Sequence, residues 1–124
     1  MSKFIMMVDD TKVILRTGEL FLTKAGYEVR LLEDGFSAIA ALQERKPDLI
    51  LLDVVMPKLD GLDTCRIIKS SEEFKDIPLI MLSGLESPFD KVKAKMLGCD
   101  DYLTKPFKKE NLLNMIRKYL PDNE

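Results

Sequence analysis

The chain contains no histidine. That absence removes the commonest side-chain metal ligand and general base, so serine–histidine–aspartate and cysteine–histidine catalysis are excluded. Cysteine is scarce as well. Cys65 and Cys99 stand in no metal-ligand spacing and read as two reduced thiols of a cytosolic protein. No apolar run approaches the roughly 20 residues of a membrane span. The N-terminal MSKFIMMVDD turns acidic too soon to be a secretion signal, so the chain reads as cytoplasmic. Neither charge dominates: 19 basic against 21 acidic residues leaves a formal net charge of −2. That balance argues against a general nucleic-acid or membrane-surface binder. A Walker loop and a glycine-rich dinucleotide turn are both lacking. Chemistry in this chain must therefore use carboxylates, hydroxyls and lysines.

What is present is a strict alternation. With 124 residues, 46% of them hydrophobic, the chain suits one domain over 1–124 with a single core. Short aliphatic runs at about 3–8, 27–32, 48–53, 78–83 and 101–104 predict strands. Between and after them, Thr11–Ala25, Phe36–Lys46, Leu62–Ser70, Pro88–Leu97 and Lys109–Leu120 carry helical spacing. Ser87-Pro88 reads as a helix start, and Gly26 and Gly98 as helix stops. Alternating strands and helices imply a doubly wound α/β fold with parallel strands and helices on both faces. The second strand, YEVRLL, alternates polar and apolar at first, which suits a sheet edge.

In such a sheet, ligands bind at the carboxyl ends of the strands. The first strand ends in Asp9-Asp10, the third in Asp53, the fourth in Ser83-Gly84, and the fifth runs into Lys105-Pro106. Any one of these alone is an ordinary turn or capping residue. Together they place three carboxylates, a hydroxyl and an ammonium on one edge. Crowded carboxylates repel, and Lys105 offsets only part of the excess. The remainder invites a hard divalent cation, and oxygen-only ligands suit Mg²⁺. A metal, a lysine and a hydroxyl beside a carboxylate are the equipment for handling a phosphoryl group, with Asp53 as nucleophile.

The chain resembles the receiver domain of bacterial response regulators, the fold of the chemotaxis regulator CheY, over essentially its whole length. The resemblance is carried by VDD at Val8–Asp10, DLILLDVVMPKLDG around Asp53, PLIMLSG through Ser83, and GCDDYLTKPF ending at Phe107. It implies a five-stranded parallel sheet in the order 2-1-3-4-5 with five helices. It further implies that Asp53 takes a phosphoryl group from a histidine kinase with Mg²⁺ bound. Asp10, Asp53 and the Val55 backbone carbonyl would be direct metal ligands, with Asp9 acting through water. Lys105 and Ser83 would contact the phosphoryl group, and Gly84 would leave room for it. The Lys105-Pro106 bond would be cis. Tyr102 would be the aromatic switch that moves inward on phosphorylation, while Pro57 and Gly61 would shape the loop leaving the site.

On this reading no output domain remains, so no direct DNA binding is expected and a monomer or weak dimer is. Output would be protein binding through the fourth helix, fifth strand and fifth helix, a face carrying Lys91, Lys93, Lys95, Lys108, Lys109 and Lys118. Asp100, Asp101 and Arg117 match part of the ion-pair network through which receivers of the OmpR type dimerise. Met96 and Met115 replace two of its charges, and exposed methionines would suit an adaptable binding patch. Lys108 stands where the family commonly has a helix-capping side chain. The wording between motifs is most similar to the PilG-like regulators of type IV pilus twitching motility; chemotaxis and phosphorelay receivers share most of the same residues. A phosphatase of the haloacid dehalogenase type also forms an aspartyl phosphate, but it needs a second Asp two residues on. Val55 stands there, so turnover of phosphate esters is not expected.

Overall fold

The computed structural model describes residues 2–84 and 88–121. Ser87, read above as a helix start, lies outside the described residues. Strands and helices alternate as β1 (Phe4–Val8), α1 (Lys12–Lys24), β2 (Glu28–Leu32), α2 (Gly35–Glu44), β3 (Leu49–Asp53), α3 (Gly61–Lys69), β4 (Leu79–Ser83), α4 (Pro88–Met96), β5 (Asp101–Thr104) and α5 (Lys109–Tyr119). All the strand pairings are parallel, and the order is β2-β1-β3-β4-β5.

Successive strand residues point to opposite faces, so each apolar run feeds two layers. Met6, Val8, Ile50, Leu52, Leu79 and Met81 face one layer, covered by Ala38 and Leu42 of α2 and by Cys65 and Ile68 of α3. Ile5, Met7, Leu49, Leu51, Ile80 and Leu82 face the other, where Leu15 and Leu22 of α1 meet Leu112, Leu113 and Ile116 of α5. This two-sided cover is why β1, β3 and β4 are unbroken apolar runs, buried at every position. β2 lies at an edge, and only its last residue is fully buried.

The helix ends explain small differences from the sequence pattern. α1 closes in a Schellman motif: Gly26 has φ 96°, its amide donates to the Thr23 carbonyl at 3.0 Å, and the Tyr27 amide donates to Leu22 at 3.0 Å. Tyr27 is thereby held by the helix end, and β2 begins one residue later than the pattern suggests. α4 ends the same way at Gly98, with the Cys99 amide on the Ala94 carbonyl at 3.1 Å. Asp34 and Asp60 cap α2 and α3 by accepting from the amides of Ser37 and Asp63. Lys108 precedes α5 without a side-chain cap. Both thiols are buried, and burial pushes Cys65 up to about 12 and Cys99 up to about 11, which keeps them protonated and unreactive. Among the described residues, no helix is long and apolar enough to cross a membrane.

Candidate functional site

β1 and β3 are neighbours, with Val8 opposite Leu52. The residues that follow Val8 therefore emerge beside the end of β3. One carboxylate oxygen from each of Asp9, Asp10 and Asp53 falls within 4.8 Å of the others. Asp9 and Asp53 are buried, at 0% and 3% exposure, whereas Asp10 is open to solvent. Lys105 comes from two strands away. Its main-chain N–H donates to the Ser83 carbonyl at 2.5 Å, and its peptide bond to Pro106 is cis. From there the ammonium donates to Asp9 Oδ2 at 2.9 Å and Asp53 Oδ1 at 3.0 Å.

Backbone groups complete the cradle. The Thr11 amide donates to Asp9 Oδ1 at 2.8 Å, so both Asp9 oxygens have partners within the fold. The Val55 amide donates to Asp53 Oδ1 at 3.3 Å, which leaves Asp53 Oδ2 without a hydrogen bond among the described residues. Sequence reasoning missed Thr11, because its contribution is a main-chain amide that no side-chain motif marks.

Three carboxylates face one ammonium. Burial pushes Asp53 up to about 6; the neighbouring Asp9 charge adds to the rise, while Lys105 and the Val55 amide oppose it. Burial also disfavours the charge on Lys105, yet its hydrogen bonds to Asp9 and Asp53 hold it above its ordinary value. A surplus of negative charge, oxygen-only donors and one solvent-facing carboxylate fit a hard cation such as Mg²⁺. A metal held by Asp53 would compete with its proton, so apparent Mg²⁺ affinity is expected to fall about tenfold per pH unit below about 6. Calorimetric titrations between roughly pH 5 and pH 7.5 check this; a flat profile would detach Asp53 from the metal.

The other expected residues fall into two groups. Ser83 is buried at the end of β4, one strand from Asp53, and Gly84 follows it in the open. A β-carbon on Gly84 would meet nothing within 4 Å, so the chain's own packing does not demand glycine there. Gly61 is the opposite case: a β-carbon there would lie 1.9 Å from the Asp53 carbonyl oxygen. Pro57 is exposed and precedes Lys58, whose φ of 68° marks a tight loop. The Val55 side chain is exposed at the rim. Tyr102 stands away from the acidic cluster on β5, where its ring packs against the α2–α3–α4 layer with the hydroxyl buried.

The family model for the response regulator receiver domain matches residues 5–117. The chain belongs to the response regulator receiver family. Protein PilG of Pseudomonas aeruginosa is 46% identical over 117 residues, covering 94% of this chain and 87% of that protein. The chemotaxis protein CheY4 of Vibrio cholerae superposes with a TM-score of 0.91 at 32% identity, covering 96% of this chain and 99% of that one. The receiver domain of a sensor histidine kinase from Pseudomonas aeruginosa PAO1, solved with a magnesium ion coordinated in its active-site cleft, gives 0.90 at 30% identity, covering 98% and 100%. The protein is accordingly a receiver of two-component signalling, a switch operated by phosphorylation.

On this receiver's α4–β5–α5 face, one expectation needs correction. Met96 is 81% exposed, but Met115 packs against the α1–α5 core and is not part of an exposed methionine patch. Asp100 and Asp101, which match members of the dimer network, have partners within the chain. Asp100 accepts from Lys69 and the Leu79 amide, both at 2.8 Å, and Asp101 from Lys118 and Tyr119.

Proposed function

We propose that Asp53 is the phosphoacceptor of this receiver and that a histidine kinase is its donor. An oxygen of the Asp53 carboxylate attacks phosphorus, the P–N bond of the phosphohistidine breaks, and the imidazole leaves with the electron pair and takes up a proton from solvent. Asp10, Asp53 and the Val55 carbonyl, with Asp9 acting through water, would hold Mg²⁺, whose charge would neutralise the phosphoryl oxygens. The arrangement around Lys105 carries the proposal: one ammonium bridges two buried carboxylates at 2.9 and 3.0 Å, so a cation is already placed where phosphoryl charge would arrive. The Ser83 hydroxyl donates to the phosphoryl group, Gly84 leaves space for it, Pro57 stiffens the loop, and Tyr102 reports the event by its ring position.

Chemistry is limited to self-catalysed phosphorylation and slow loss of the phosphate. Output is binding of a downstream protein by the receiver's own surface in the cytoplasm. Similarity to PilG supports a place in pilus-linked motility signalling over chemotaxis. Mass spectrometry after incubation with Mg²⁺ and acetyl phosphate is expected to find one phosphoryl group, on the peptide that contains Asp53. Phosphate on another residue, or multiple turnover of a phosphate ester, would overturn the assignment.

Lys105→Ala separates binding from signalling. Removing a competing cation is expected to leave Mg²⁺ affinity equal or tighter, while the response to the phosphoryl mimic beryllofluoride falls at least about tenfold. A normal response in that variant would remove Lys105 from its role.

A further inference from the structure

We infer that the protein pairs with a second copy of itself through the outer face of α2, independently of phosphorylation. Residues Gly35 to Gln43 of α2 contain no charged side chain, whereas the other four helices carry acids and bases along their length. Ala38, Ala41 and Leu42 are turned into the core. The outward positions Phe36, Ser37, Ala40 and Gln43 are exposed, Phe36 to 59%. A surface helix ordinarily places charges on that side, and an uncharged, partly aromatic outer face is a surface that a partner covers. Ile67 of the adjacent α3 is exposed as well. Ile39, Leu42, Gln43, Ile67, Ile68 and Phe74 line a hollow of about 190 Å³ there. That is below the roughly 300–1,000 Å³ of sites for whole small molecules and suits one anchoring side chain.

Charge identifies the occupant. Asp34 is committed to the Ser37 amide, and Arg45 to Glu28. Glu33 and Lys46, just beyond the two ends of α2, are exposed and have no hydrogen bond or ion pair among the described residues. They are equally spaced from the Ile39–Ala40 peptide bond, and so are Phe36 and Gln43. A two-fold axis through that point, with the helices antiparallel, sets Glu33 of each copy beside Lys46 of the other. The same operation brings Phe36 of each copy to the Gln43 end of the other, at the hollow. Ala40 falls beside the axis, where its short side chain permits close approach of the helices.

The face is thus self-complementary: uncharged along its middle, with opposite charges meeting at both ends. That symmetry is what an isologous contact needs, and a partner of different sequence would not call for it. One helix face is a small contact, below the roughly 1,200 Å² of stable complexes, so the pairing is weak, with a dissociation constant of about 0.1 mM. α2 packs on β1 and β2, at the edge of the sheet opposite β5. Pairing there leaves Tyr102 and α5 uncovered, and it does not depend on the state of Asp53.

Analytical ultracentrifugation of the full chain at up to about 1 mM, the weak end of specific recognition, tests this. A reversible dimer is expected in Mg²⁺, with and without beryllofluoride. Ala40→Glu sets two carboxylates against each other across the axis and should weaken pairing at least about tenfold, as should Phe36→Ala. Both positions are exposed, so thermal melts of these variants should match the parent. At low salt, Glu33→Lys or Lys46→Glu alone should weaken pairing about fivefold, and the two together should restore it to within about twofold. Met96→Glu, on the 81% exposed position of α4, should change nothing. The inference is overturned if the protein stays monomeric at about 1 mM, or if a dimer forms only with beryllofluoride. It is equally overturned if Met96→Glu weakens pairing as much as Ala40→Glu, or if the double charge reversal fails to restore it.

Discussion

In the Asp53→Asn variant the response to beryllofluoride is expected to vanish while the metal-free protein becomes more stable. The two effects share one cause. Asp53 is 3% exposed, and burial together with the Asp9 charge pushes its carboxyl up to about 6. In the unfolded chain the same group titrates near about 4. The folded state therefore holds this proton more tightly than the unfolded state, and the group's contribution to stability declines as pH rises from about 4 to about 6. At pH 7 the ionised group costs about 1–3 kcal/mol, which the neutral amide avoids while still accepting from Lys105. Denaturant unfolding in a chelator should show that gain at pH 7 and lose it below about pH 4. Loss of the response without the gain would mean that Lys105 already offsets the carboxylate in full.

Much of this fold was legible because its signals are periodic. Residues 49–53 are buried on both faces, so LILLD reads as a central strand without help from its neighbours. YEVRLL reads as an edge strand because its exposed and buried positions differ. The acidic cluster followed from topology: once β1 and β3 lie side by side, Asp9, Asp10 and Asp53 have nowhere else to go. Lys105 was legible as a cation at the same edge, yet its bridging of two carboxylates depends on reach across β4, which no spacing encodes.

Main-chain contributions and side-chain pairings across the surface were hidden. The Thr11 and Val55 amides hold the site by backbone geometry alone. Asp100 and Asp101 match members of a dimer network in the sequence, while nothing in the spacing shows that they pair with Lys69 and Lys118, 31 and 17 residues away within the chain. Met115 illustrates the remaining limit. A methionine on an amphipathic helix reads as exposed or packed according to a few degrees of helix rotation, and here the rotation packs it.

Gly61→Ala is expected to destabilise the protein by about 2–4 kcal/mol, lowering its melting temperature by roughly 10 °C. A β-carbon at Gly61 would meet the Asp53 carbonyl oxygen at 1.9 Å, the Asp53 carbonyl carbon at 2.8 Å and the Val54 α-carbon at 2.7 Å. All three are backbone atoms, so no rotamer change relieves the contact. The Gly61 amide also donates to the Val54 carbonyl at 2.9 Å, which fixes how closely α3 approaches the end of β3. The chain must therefore displace either the start of α3 or the main chain of Asp53, and the second displacement moves the proposed phosphoacceptor itself. Weakened beryllofluoride binding should accompany the lost stability. Gly84→Ala is the matched control, because its β-carbon meets nothing within 4 Å and stability should stay within about 0.5 kcal/mol. Thermal melts of the two variants side by side decide the matter. Equal, small shifts would mean that α3 yields easily, and the close approach at Gly61 would no longer explain why the loop after Asp53 ends in glycine.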